Sequence, residues 1–154
     1  NAANFGIFGD RTQHVLWRIQ NGNFDGINPK LIVIMIGSNN SNSNTAIEIA
    51  AGVIAIVKKL RDIVPQSKIL LLGIFPRGKY PDDPLRKINN KVNILLAGIA
   101  DGKQVVFLDI GFAFKNIFGI VSEEIMPDYL HLSEIGYQRW AEIIEPYVIT
   151  MMEK

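Results

Sequence analysis

The sequence predicts a three-layer, doubly wound α/β fold on a parallel sheet, and three observations carry that prediction. Three short runs, "LIVIMI" at Leu31–Ile36, "KILLLG" at Lys68–Gly73 and "QVVFLD" at Gln104–Asp109, are almost continuously apolar rather than alternating, as expected of strands covered on both faces. Segments with helical periodicity and legible ends lie between them. Strand alternating with helix calls for crossover connections that place helices against a parallel sheet. With 154 residues, 48% of them hydrophobic and 20% charged, residues 1–154 fit one domain with a single core.

Each helix can be justified from its ends. "DRTQHVLWRIQNG" predicts a short helix from Asp10 to Asn21, stopped by Gly22. After the first apolar run, "TAIE" at Thr45–Glu48 is a capping box. Ile47, Ala51, Ile54 and Val57 then recur at helical spacing until Val64-Pro65 ends the run. Asp83 is the expected N-cap of the next helix, with Pro84 at its first position and Ile88, Val92 and Leu95 on one face. Ser133 caps a closing amphipathic helix that runs to the end of the chain.

Composition excludes several functions. Sixteen basic and 15 acidic residues give a net charge of +1 with no basic stripe, so neither nucleic acid nor an anionic membrane surface is an expected partner. The absence of cysteine removes disulfides, thiolate nucleophiles and Cys-ligated zinc. Two histidines far apart, with no H-E-x-x-H pattern, give no metal site. No phosphate loop of the G-x-x-x-x-G-K-[ST] type occurs, and "FGIFGD" has too few glycines for a dinucleotide fingerprint. No apolar run reaches the length of a membrane span. The opening "NAANFGIFGD" has no basic stretch leading into an apolar one, so no signal peptide is visible and the segment reads as the middle of a protein.

In doubly wound sheets ligands collect at the carboxyl ends of the strands, which directs attention to the loops after Ile36, Gly73 and Leu108. The first reads "GSNNSN"; Asn39 there is either an ordinary turn former or an amide donor to a developing oxyanion. The last contains "DYLHLS", with Asp128 three positions before His131. That pair is either a surface contact near a helix start or an acid that orients an imidazole base. His14, on the first helix, reads as packing or surface.

Taken together, "NFGIFGDRTQHVLWRI", "IGSNN", "LLGIFPRG", "KINNKVN" and "DYLHLSEIGY" resemble, in order and spacing, the SGNH or GDSL-type hydrolases. Within that family they are most similar to the branch of platelet-activating-factor acetylhydrolase alpha subunits and their bacterial relatives. The resemblance covers essentially the whole chain. It implies that Asp128 and His131 are catalytic acid and base, that the Gly9 N–H and the Asn39 side chain form an oxyanion hole, and that Ser38 and Leu130 line a small acyl pocket. The substrate it implies is a small acyl ester, with no cofactor and with a homodimer as the assembly. Asn40 stands where many relatives have Asp but fits this branch; Phe8 stands where the branch usually has another glycine.

The family's Gly-Asp-Ser nucleophile block occurs nowhere in the sequence. Ser38 is the best internal serine, but it sits in Gly37-Ser38-Asn39 rather than in a G-x-S-x-G elbow. The resemblance implies a flavodoxin-like strand order 2-1-3-4-5. "ANFGI" at Ala3–Ile7 would be strand 2 and Leu31–Ile36 strand 3, with the first strand and its serine missing from between them. The expectation is an N-terminally truncated domain, the absent segment lying ahead of Asn1 or present as a separate piece. A non-catalytic binding module or pseudoenzyme subunit of the same fold is the alternative, and a nucleotide-binding flavodoxin-like domain a third reading.

Overall fold

A computed structural model of the chain describes residues 2–153. Its elements are α1 (Thr12–Gln20), β1 (Leu31–Ile34), α2 (Ala46–Ile63), β2 (Lys68–Leu72), α3 (Pro84–Ala97), β3 (Val105–Leu108) and α4 (Glu134–Glu153), with single 3-10 turns at Ser38–Asn40 and Gly111–Phe114. The strands form a parallel sheet in the order β1-β2-β3, with Leu31 opposite Lys68 and Ile69 opposite Val105. The predicted strands are therefore present, each shorter at its carboxyl end, where the chain turns into the loops that matter below.

Alternation along β2 builds the three layers. Ile69 and Leu71 pack with α1, α2 and α3 on one face, whereas Leu70 and Leu72 pack with α4 on the other. All four are buried, so the run reads as continuously apolar because both faces are covered. Leu71 has no exposed surface, and Leu71→Ala is expected to cost about 2–5 kcal/mol, measured as a lowered denaturation midpoint at unchanged slope.

The helix ends follow the sequence signals. The Thr45 side chain accepts from Glu48 N–H at 3.3 Å while Glu48 accepts from Thr45 N–H at 2.8 Å. The Asp83 carboxylate accepts from the N–H groups of Leu85 and Arg86, and the Ser133 hydroxyl accepts from Gly136 N–H. The buried faces match expectation only in part. On α2 the buried stripe is Ile49, Val53, Ile56, Val57 and Leu60, so the expected Val57 is inside, whereas Ile47 is 74% exposed. This helix is apolar nearly all round, and the stripe of larger residues wins the sheet over one containing Ala51. On α3 the inner face holds Arg86, Asn89 and Asn93 beside Val92 and Leu96, with Leu95 outside. Buried polar groups are tolerated there because loop backbone satisfies them.

Residues 3–7 form no strand and are exposed. β1 pairs only with β2 among the described residues, and Val33 on it is 41% exposed. The expected neighbour of residues 3–7 was not β1 but a strand between the two; without a ladder partner an isolated segment has nothing to hold it extended.

Candidate active site

Three loops leave the carboxyl ends of the strands. The one after β1 carries Ser38 and Asn39, the one after β2 spans residues 73–83, and the one after β3 ends in Asp128–His131 before α4 begins. Gly37 opens the first with φ +123°, and a Cβ there would fall 2.8 Å from the side chains of Ile49 and Ile74. Only glycine lets the chain turn so tightly off the sheet edge.

Asp128 and His131 are locked together. One carboxylate oxygen accepts from the backbone N–H groups of Leu130 at 3.0 Å and His131 at 2.7 Å. The other lies 2.6 Å from His131 Nδ1. The carboxylate thus fixes the ring's position and favours the tautomer with the proton on Nδ1, leaving Nε2 as the free base nitrogen. Both side chains are more than half exposed, and Nε2 has no protein partner among the described residues. Tyr129, between them, has φ +59°, a region uncommon for a residue with a side chain. Its N–H donates to the Met126 carbonyl at 2.9 Å.

The His131 backbone N–H, then its imidazole, hold the Asp128 carboxyl well down, from 3.8 to about 2. A carboxylate depressed in the folded state contributes stability above its unfolded value and loses it as pH falls through the folded one. The stability advantage over an Asp128→Asn variant should accordingly be complete above pH 3.8 and shrink as the pH falls toward about 2. Denaturant titrations of both proteins across that window measure it. Any loss of activity on the acid side above that window comes from a group other than Asp128.

The second half of the site is built around the turn at residues 7–10. Gly9 has φ +79° and open space where a Cβ would be; it is exposed, and its N–H meets no acceptor among the described residues. Asp10 is buried, held by two bonds from the Arg18 guanidinium at 2.8 and 2.5 Å, and that hydrogen bonding lowers its carboxyl below the usual range. The Asn39 side-chain amide donates to the Asp10 carbonyl at 2.9 Å, which leaves its second N–H available. Phe8 stacks on the His131 ring, centroids 6.1 Å apart and planes 25° apart. The stretch from Phe8 to Asp10 therefore touches both His131 and Asn39.

Ser38 and Leu130 sit on the loops that carry Asn39 and His131; the Ser38 hydroxyl is buried without a hydrogen-bond partner among the described residues. His14 lies on the exposed side of α1, where its Nδ1 accepts from Arg11 N–H at 3.3 Å, a surface capping role. Sequence reasoning noted Asn40 only for its identity and missed the structural role of this buried side chain. Its oxygen accepts from Thr12 N–H at 3.0 Å, and its amide donates to Gln13 and Asn44. An Asp could not make those donations. It also missed the supporting roles of Asn89 and Asn93, although "KINNKVN" contained both.

A parallel sheet flanked by helices thus carries an acid–imidazole pair and an amide-bearing loop at the carboxyl ends of its strands, where α/β proteins of this class place their sites. The sequence profile of the GDSL-like Lipase/Acylhydrolase family matches residues 1–139, and the chain belongs to that family. The alpha1 subunit of platelet-activating factor acetylhydrolase IB from Rattus norvegicus is 45% identical over 138 residues, 89% of this chain and 59% of that protein. The alpha2 subunit from the same organism is 43% identical over 155 residues, 100% of this chain and 67% of that protein. The chain thus spans about three fifths of the alpha1 relative. Among solved structures, a Streptococcus pneumonia protein provisionally described as a platelet activating factor superposes with a TM-score of 0.80 at 27% identity, over 94% of this chain and 71% of that one. Axe2, an acetyl-xylooligosaccharide esterase from Geobacillus Stearmophilus, shares the fold, with a TM-score of 0.76 at 20% identity over 93% of this chain and 70% of that one.

Proposed function

We propose that the protein hydrolyses a small carboxylic ester, an acetyl ester in the first instance, through an acyl-enzyme formed on a serine outside residues 1–154. One observation carries the reading: the Phe8–Asp10 stretch contacts both His131 and Asn39, so a base and an oxyanion donor border the same turn. The relatives' names, acetylhydrolase and acetyl-xylooligosaccharide esterase, support the acyl group. The open edge of β1, with Val33 exposed on it, supports a further strand there that would deliver the serine and complete a single domain.

In this mechanism the serine oxygen attacks the ester carbonyl carbon while His131 Nε2 takes its proton, and the charge that forms on Nδ1–H is stabilised by Asp128. The carbonyl oxygen becomes an oxyanion bonded by the Gly9 N–H and the free N–H of Asn39. As the carbon–oxygen bond to the alcohol breaks, the imidazolium returns its proton to the departing oxygen. Water then repeats the sequence on the acyl-serine and releases the acid. Ser38 and Leu130 border the acyl group in this arrangement.

The test is hydrolysis of p-nitrophenyl acetate by the protein carrying the segment that precedes Asn1. Steady turnover after a burst of about one p-nitrophenolate per site is expected of an acyl-enzyme that accumulates. A rate no greater than that of buffer would replace this reading with a non-catalytic module of the same fold.

A further inference from the structure

We infer that Arg77 is a positioning residue that sets the distance between the asparagine loop and the acid–base loop; this role rests on the ester-hydrolase reading of the site. Arg77 Nη1 donates to the Ser38 carbonyl at 2.9 Å, on the peptide that leads into Asn39. The next residue, Gly78, donates its N–H to the Tyr129 carbonyl at 2.8 Å, within the turn that holds Asp128 against His131. Two adjacent residues of the loop after β2 thus reach the two halves of the site.

That loop is itself clamped by one face of α3. Arg86, Asn89 and Asn93, spaced i, i+3 and i+7, are 2%, 0% and 6% exposed. Asn93 bonds both the N–H and the carbonyl of Ile74, at 2.8 and 3.0 Å. Asn89 donates to the Phe75 carbonyl at 3.3 Å and accepts from the Ser41 hydroxyl at 2.5 Å. The Arg86 guanidinium donates to the carbonyls of Arg77 at 2.8 Å, Gly119 at 2.5 Å and Gly78. No carboxylate pairs with Arg86 among the described residues, and burial lowers its pKa from the ordinary arginine value. A cation so placed is costly, and apolar residues would pack the helix as well. What the polar stripe adds is a fixed loop shape, because each of its bonds ends on loop backbone or, at Ser41 and Asp109, on a loop side chain.

The left-handed Tyr129 fits this role. A non-glycine residue persists in that conformation where its surroundings over-determine it, and Gly78 supplies the bond to its carbonyl. Removing the Arg77 donor releases the asparagine loop while leaving the α3 clamp intact. A shift of about 1 Å between reacting groups can cost on the order of 100-fold in rate.

The experiment compares Arg77→Met and Arg77→Lys with the unaltered protein carrying its preceding segment, using p-nitrophenyl acetate. Arg77→Met should lower kcat by about 10- to 100-fold with little change in KM and no change in melting temperature; Arg77→Lys, which keeps a donor, should recover part of the rate. An unchanged kcat in Arg77→Met, or a fall accounted for by loss of folded protein, would overturn the role. If the unaltered protein is no faster than its His131→Ala variant, the hydrolase reading fails by itself. Nuclear magnetic resonance then decides the structural coupling: Arg77→Met should move the Asn39 side-chain amide and His131 ring signals together, and signals that stay in place refute it.

Discussion

His131→Ala should lower kcat for p-nitrophenyl acetate by about 100- to 10,000-fold, the range that a positioned general base contributes. The substitution removes Nε2, the one ring nitrogen left free by the Asp128 contact at Nδ1. It leaves the loop's own scaffold in place, because the Asp128 carboxylate still accepts from the backbone N–H groups of residues 130 and 131. The ring is more than half exposed and packs chiefly against Phe8, so the melting temperature should move little. Steady-state kinetics beside a melting curve separate the two effects. Partial recovery of the rate with added imidazole would place the loss in proton transfer rather than in folding.

Asn39→Ala is expected to cost about 100- to 1,000-fold in kcat with a smaller change in KM, as for loss of one oxyanion donor. In the proposed mechanism the amide has two jobs: one N–H holds the Asp10 carbonyl at 2.9 Å, and the other would donate to the oxyanion. The variant therefore also loosens the turn that presents Gly9, which places its loss at the upper end of that range. Asp10 remains tied to Arg18 by two bonds, so the turn persists and the protein stays folded. A loss in kcat/KM carried mainly by KM would argue that Asn39 binds substrate equally before and during reaction.

The sheet was legible because both its faces are covered: Ile69, Leu70, Leu71 and Leu72 are all buried, and no alternating pattern could have been mistaken for a solvent-facing strand. Helix ends were legible where a side chain performs the cap, at Thr45, Asp83 and Ser133. The face of α2 was not, since its apolar residues surround the helix and only packing against the sheet selects Ile49 and Val53 over Ile47. The Asp128–His131 pairing could be read from a spacing of three, a local contact. The contacts of Asn39 with Asp10, and of Arg77 with Ser38, join residues far apart in sequence, and no periodicity encodes them. Residues 3–7 mark the remaining difference: a strand depends on its ladder partner, and along β1 the described residues supply none on that side.

Identifying the residue modified by a fluorophosphonate probe tests the central claim most directly. In the protein carrying the segment ahead of Asn1, mass spectrometry should find the label on a serine of that segment, and His131→Ala should suppress the labelling. A label on Ser38 or on any other serine of residues 1–154, or labelling indifferent to His131, would contradict the account.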